Sequence, residues 1–291
     1  MLHANLLDND NILPSSAPCL TPGQVGVLAG WGVFSTLRIA SGVLFEYPRH
    51  FARMQRDACL LRIPFPQHQD WMESRLLELV EANRVIDGTL RVVVVRNTGS
   101  IWQGPGVERP FDLIAFTTKL TKWGEGVRLG VVPQARHAAS RYAGTKVLSW
   151  AFNLNWYEEA HERGFDEVVL LNEREEVCEC TSANLFAAFG NDVWTPPLSS
   201  GCLPGITREL LLQEIKVPGL TMVEKAFGLE QLQQADEVFI TSSTRDVLPV
   251  LEIEGLKIQQ SRRICAALKN TFTDYIAQYV ANHAKVGLAS G

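Results

Sequence analysis

Four groups of residues in this chain have the types and spacing to do chemistry. Lys146 closes Tyr142-Ala143-Gly144-Thr145-Lys146, ahead of an apolar stretch with Trp150, Phe152, Leu154 and Trp156. A lysine at the mouth of an apolar region loses its proton at lower cost, and a neutral amine forms a Schiff base with an aldehyde cofactor. The plainer reading is a surface lysine that opens a helix. Glu179 lies in Glu176-Val177-Cys178-Glu179-Cys180-Thr181. Strand alternation predicts that it shares an inward face with Val177. A buried carboxylate needs a partner, and a protonated ring nitrogen would serve. The plainer reading is a solvated charge on an edge strand.

The third group is Gly205-Ile206-Thr207-Arg208, after Leu203-Pro204. A Pro-Gly turn into a helix exposes unpaired N–H groups. With the helix dipole and the Thr207 hydroxyl, these make an anion site, or else an ordinary helix start. The hydroxyl run Thr241-Ser242-Ser243-Thr244 follows a predicted strand. It reads as a second wall for a phosphate or as a polar turn. The fourth group is a set of arginines. Arg53 falls on an early helix, and Arg38, Arg91 and Arg96 fall inside apolar strand runs. Planar forks in such places bind carboxylate or phosphate, or make structural ion pairs.

Other chemistries lack their motifs. There is no GxSxG, no P-loop and no GxGxxG after a strand, and Gly30-Trp31-Gly32 opens a strand instead of a helix. The six cysteines form no CxxC pair, so they read as reduced, mostly buried thiols, and no metal is expected. Lys plus Arg is 27 against 32 Asp plus Glu, a net charge of −5, which excludes a global field for nucleic acid. No apolar run reaches the roughly 18 residues of a membrane span, and the first ten residues lack a signal pattern. These features predict a cytoplasmic protein with no membrane partner.

The elements that must position these groups follow from the hydrophobic pattern. Residues 1–24 read as an arm or irregular lead-in. Strands are predicted over Val33–Ile39 and Val43–Tyr47, the latter ended by Pro48. Helices are predicted from His50 to Leu61 and from Gln69 to Asn83, and strands at Leu90–Val95 and Phe111–Phe116. Asn97–Pro110 reads as a lid or substrate loop. After a polar stretch, Lys119–Gly126, come the strand Val127–Val132, the basic segment Arg136–Lys146 and a helix Val147–Arg163 capped by Gly164. Strands at Glu167–Leu171, Glu176–Cys180 and Leu185–Phe189 follow. Then come the helix Ile206–Ile215, the strand Glu237–Thr241 and a last helix from Ser261 to about Val280. Strands and helices mix without steady alternation, which predicts an α+β (mixed) fold. The 291 residues suggest about two domains: 1–118, a linker 119–126, and 127–291.

From Gly30 to Val250 the chain resembles the class IV (fold type IV) aminotransferases. That family includes branched-chain and D-amino acid aminotransferases and aminodeoxychorismate lyase. The blocks that carry the resemblance begin with Gly30-Trp31-Gly32-Val33-Phe34-Ser35-Thr36-Leu37-Arg38, His50-Phe51-Ala52-Arg53-Met54 and Gly144-Thr145-Lys146. They continue with Glu179-Cys180-Thr181-Ser182-Ala183-Asn184-Leu185-Phe186, Thr195-Pro196-Pro197-Leu198, Leu203 to Arg208, and Thr241-Ser242-Ser243 before Leu248-Pro249-Val250. Their order and spacing together are specific.

The resemblance implies a small two-layer α/β domain, a larger pseudo-barrel domain and pyridoxal 5'-phosphate as cofactor. It implies that Lys146 is the Schiff-base lysine and that Glu179 pairs with the pyridinium nitrogen. Arg53, the N–H groups of Ile206 and Thr207, and Ser243 would hold the phosphate. Thr36 and Arg38 would line the substrate pocket, and Arg91 and Thr244 would help bind a carboxylate. The implied reaction moves an amino group between an amino acid and a 2-keto acid, both small molecules, in a homodimer. The same machinery serves aminodeoxychorismate lyase, which makes 4-aminobenzoate and pyruvate; a more remote alternative is a binding protein without catalysis. Ser35 stands where many members have an acid. Ala151 stands where branched-chain enzymes have a tyrosine, and Thr89-Leu90-Arg91-Val92 replaces their Tyr-Ile-Arg-Pro. These departures argue against a branched-chain label.

Overall fold

The computed structural model describes residues 1–99, 103–104, 107–259 and 261–283. Part of the predicted Asn97–Pro110 loop lies outside the described residues. Among the described residues no helix is long and apolar enough to cross a membrane. The chain divides into two compact units: Met1–Thr121 with Lys146–Trp150 and Gln278–Gly291, and Lys122–Thr145 with Ala151–Ala277.

The first unit is built on β1 (Leu2–Asp8), β2 (Asn11–Pro14), α1 (Val25–Ala29), β3 (Gly32–Ala40), β4 (Val43–Leu44), α2 (Tyr47–Leu60), α3 (Gln69–Ala82), β5 (Gly88–Arg96) and β6 (Phe111–Thr118). Its sheet runs β2-β1-β6-β5-β3-β4 with every neighbouring pair antiparallel. Val33, Leu37 and Ile39 alternate along β3. They meet Phe51, Met54 and Ala58 of α2 and Met72, Leu76 and Leu79 of α3 in one core. The other strand face is therefore left to Phe34, Thr36 and Arg38.

Three local expectations are corrected here. The lead-in forms β1 and β2, because β1 pairs with both β2 and β6; a bulge between Leu2 and Leu6 breaks the alternation that would have marked it. Pro48 sits in the first turn of α2, where its missing N–H costs nothing, so it opens a helix instead of closing a strand. The helix predicted from Val147 starts at Ala151, because Val147 and Leu148 pair with β3 instead.

The second unit comprises β7 (Val127–Arg136), α4 (Ala151–Glu162), β8 (Glu167–Asn172), β9 (Val177–Cys180), β10 (Asn184–Phe189), β11 (Asp192–Thr195), α5 (Ile206–Gln213), β12 (Thr221–Glu224), α6 (Leu229–Leu232), β13 (Glu237–Ser242), β14 (Asp246–Ile253) and most of α7 (Arg263–His283). Its strands run β12-β11-β10-β13-β14-β7-β8-β9. The β11–β12, β14–β7 and β7–β8 pairs are parallel and the rest antiparallel. That mixture is what the irregular order of strands and helices predicted. A core of Leu129, Val169, Leu185, Val238, Ile240 and Leu248 lines the curled sheet.

Candidate active site

Lys146 is placed by main-chain pairing. Phe34 N–H donates to Lys146 O at 3.2 Å and Leu148 N–H donates to Gly32 O at 2.9 Å, so the segment runs beside the start of β3. Lys146 N–H donates to Asp57 Oδ2 of α2 at 3.0 Å. The chain reaches this position through Gly144 at φ +70°, where a Cβ would come within 2.7 Å of Cys202 O. With its backbone fixed on both sides, Lys146 sends its amine to 4.6 Å from the Phe34 ring centroid.

Arg91 shares that ring: its guanidinium lies 3.7 Å from the Phe34 centroid and 5.9 Å from the Trp150 ring. In the β3–β5 register Thr36 stands opposite Arg91, and Arg38 opposite Thr89. Directly opposed residues share a face, so Phe34, Thr36, Arg38 and Arg91 lie on one side of the first sheet. Burial pushes the Arg91 guanidinium down to about 10, and no carboxylate among the described residues pairs with it.

Arg53 lies on the helix-covered side, 8% exposed. Its Nη2 donates to Ser35 Oγ at 2.9 Å, and Ser35 Oγ lies 2.7 Å from His50 Nδ1. Burial, reinforced by the charges of Arg53 and Lys146, holds the His50 imidazole well below its ordinary range. Arginine only donates, so Ser35 Oγ accepts from Arg53; a neutral His50 then either receives the Ser35 hydrogen at Nδ1 or donates its own from there. His50 Nε2 is buried without a partner among the described residues.

In the second unit Glu179 is 9% exposed. Its partner is Arg136, whose Nε donates to Glu179 Oε1 at 2.9 Å. Arg136 Nη2 donates to Asn153 Oδ1 at 3.1 Å, and Leu203 N–H donates to Glu179 Oε2 at 2.9 Å. Glu179 is buried as expected but does not share Val177's face. The β8–β9 register slips between Leu170 and Leu171, and Val177 and Cys180 enter the core together. The bulge at Cys178 thus turns Glu179 to the other side, toward Arg136.

Helix α5 begins at Ile206 after Gly205, with no side-chain cap. Its first N–H groups, those of Ile206 and Thr207, have no partner within the helix. A Cβ on Gly205 would stand 2.0 Å from Asn184 Oδ1, and Asn184 Nδ2 donates to Leu203 O at 2.8 Å. Thr241 pairs with Asn184 across β10–β13 and so shares its face. Its buried Oγ1 has no partner among the described residues. Ser243 and Thr244 form the turn between β13 and β14, both half-buried. Trp123 Nε1 donates to Thr244 O at 2.9 Å.

The model of the family described as amino-transferase class IV matches residues 32–253. The chain belongs to the class IV amino-transferases. It is 30% identical over 282 residues to a D-alanine aminotransferase of Bacillus licheniformis, covering 94% of this chain and 99% of that one. Its fold is that of the branched-chain aminotransferase of Thermoproteus uzoniensis solved with norvaline. There the TM-score is 0.86 at 24% identity, over 96% of this chain and 98% of that one. A branched-chain amino acid aminotransferase of T.th., solved with pyridoxamine 5'-phosphate, matches with a TM-score of 0.85 at 21% identity, over 96% and 97% of the two chains. The fold is therefore mixed α/β of fold type IV.

In this class IV chain the residues suit a phosphorylated pyridine aldehyde. The uncapped start of α5 and the unsatisfied Thr241 hydroxyl on the neighbouring strand face call for an anion's oxygens. Glu179 offers a buried acceptor whose charge Arg136 balances, and Lys146 offers an amine. Thr36, Arg38, Arg91, Arg53 and Lys146 fall in the first unit, and Glu179, Ile206, Thr207, Ser243 and Thr244 in the second. In the first unit Asp57, Ser35 and His50 contact these residues or one another, and in the second Arg136 and Asn153 do; the sequence assigned none of the five. Arg136 stood in a segment marked only as basic. Asp57 follows Arg53 by one helical turn, the spacing that could have flagged it.

Proposed function

We propose that this class IV amino-transferase uses pyridoxal 5'-phosphate to move an amino group between an amino acid and a 2-keto acid, with Lys146 as the catalytic amine. The observation that carries this reading is the fixed backbone of Lys146, which holds its amine 4.6 Å from the Phe34 ring. When bound, the cofactor supplies an aldehyde for an amine and a ring that withdraws electrons. Lys146 Nζ accepts and returns the proton exchanged during transfer. Glu179, paired with Arg136, would accept a hydrogen bond from the protonated ring nitrogen. Arg53, the Ile206 and Thr207 N–H groups and Ser243 hold the phosphate. Arg91, stripped of water and lacking a carboxylate partner among the described residues, takes a substrate carboxylate, with Thr36, Arg38 and Thr244 beside the substrate. The reading includes a cytoplasmic location and a homodimer; the exposed apolar side chains of Phe152 and Leu154 on α4 support the dimer alone.

The test is a visible spectrum of the protein with pyridoxal phosphate, before and after a panel of L- and D-amino acids. The name of the Bacillus licheniformis relative puts D-alanine first among them. A donor that bleaches the band, a keto acid that restores it, and loss of both in Lys146→Ala support the proposal. Pyruvate release from aminodeoxychorismate without any keto acid would replace it with the lyase reading. Failure to take up the cofactor at all would leave the non-catalytic reading.

A further inference from the structure

Beside Glu179 the second unit holds another buried carboxylate, Glu167, at the first position of β8. Its Oε1 accepts the N–H of Val168 at 3.1 Å, the N–H of Thr181 at 3.1 Å and the hydroxyl of Thr181 at 2.6 Å. Its Oε2 accepts the Ser182 hydroxyl at 2.8 Å and lies 3.5 Å from Arg245 Nη2. Arg245 Nη1 donates in turn to Ser182 Oγ at 2.9 Å and Ser182 O at 3.1 Å. Its guanidinium lies 4.2 Å from the ring centroid of Trp123, the residue that bonds Thr244 O. Arg245 N–H closes the turn on Ser242 O at 3.2 Å.

Two segments with proposed roles thus hang from one carboxylate. Thr181 and Ser182 follow Glu179 by two and three positions. The Thr181 carbonyl also accepts Asn153 Nδ2 at 2.7 Å, and Asn153 holds the Arg136 that pairs with Glu179. The other segment is the Ser242–Arg245 turn that carries Ser243 and Thr244. Stability does not explain why the fold places a buried ion pair here, since well-packed apolar residues serve as well. Fixing one geometry does explain it.

We infer that Glu167 is a positioning residue, coupling the ring-nitrogen acceptor Glu179 to the phosphate-binding turn at Ser243 through Thr181, Ser182 and Arg245. It touches neither substrate nor cofactor. The inference rests on the pyridoxal phosphate reading above.

The experiment compares wild type with Glu167→Gln and Thr181→Val. It reads the apparent Kd for pyridoxal phosphate by tryptophan quenching of the apoprotein, the position of the visible band, kcat and KM, and the urea midpoint. Glu167→Gln is expected to raise the cofactor Kd at least tenfold, shift the band and lower kcat more than it changes donor KM. Thr181→Val, which removes one hydroxyl and no charge, is expected to raise Kd at least threefold. If the urea midpoints fall while Kd and band position stay within twofold and unshifted, Glu167 is merely structural and the inference is overturned. Should Glu167→Gln fail to fold, the same criteria applied to Thr181→Val decide. A wild-type protein that binds no pyridoxal phosphate fails the underlying reading instead, a result visible before any variant is made.

Discussion

Arg136 Nε stands 2.9 Å from Glu179 Oε1, and both side chains are largely buried. The pair makes sense of a carboxylate held away from water: a buried charge needs a partner, and the guanidinium balances it. Arg136→Met should therefore cost about 3 kcal/mol, the low end for a broken buried pair, read as a fall in the urea midpoint. Arg136→Lys should recover only part of it. An ammonium lacks the fork that reaches Glu179 and Asn153 together. Equal midpoints for wild type and Arg136→Met would refute the pairing.

Arg91 has no carboxylate partner among the described residues, and its guanidinium rests on Phe34. Arg91→Leu keeps the apolar contact and removes the cation. KM for the keto acid should rise about 10- to 100-fold, the worth of a hydrogen bond to a charged group, with little change in thermal midpoint. Because burial lowers this guanidinium to about 10, wild-type KM should climb as pH rises through 10. Arg91→Leu should lack that limb in steady-state kinetics.

Much of this arrangement is legible before folding, and the failures have a common cause. Lys146, Glu179, Arg53 and the Gly205 turn stand out because residue type, apolar surroundings and glycine placement are local signals. Arg136 does not stand out, since it closes a strand and acquires its meaning only from Glu179, 43 positions away. The face of Glu179 depends on a slip in pairing with β8, which alternation within β9 does not reveal. Val147 and Leu148 satisfy a helical pattern but are taken by β3, so tertiary pairing overrides local propensity. The same holds for β1, whose strand character comes from its two neighbours.

Gly205 can be tested where space alone decides. A Cβ would fall 2.0 Å from Asn184 Oδ1, so Gly205→Ala must displace either Asn184 or the start of α5. Overpacking of this kind costs about 1–3 kcal/mol. The thermal midpoint should drop and cofactor affinity should fall with it, because the Ile206 and Thr207 N–H groups move. Adding Asn184→Ala should return part of the thermal loss. If the single variant melts and binds as wild type does, the turn does not need its glycine.

His50 gives a pH dependence whose sign is fixed by its burial. Its folded-state value lies well below that of an ordinary imidazole, near 6.5 in the unfolded chain. Between those two values the unfolded chain binds a proton that the folded chain refuses. Its contribution to stability is therefore complete above about pH 6.5 and is lost as pH falls toward the folded value, by up to ~1.4 kcal/mol per pH unit. Urea midpoints taken from pH 7 to pH 5 should fall steeply in wild type. In His50→Gln the curve should be shallower by that one proton, whatever the variant's stability at pH 7. The comparison of slopes isolates His50 from other groups titrating in the same range, such as His3, which burial also lowers. Parallel slopes would mean that His50 binds its proton equally in the folded and unfolded chains, and burial would not be holding it neutral.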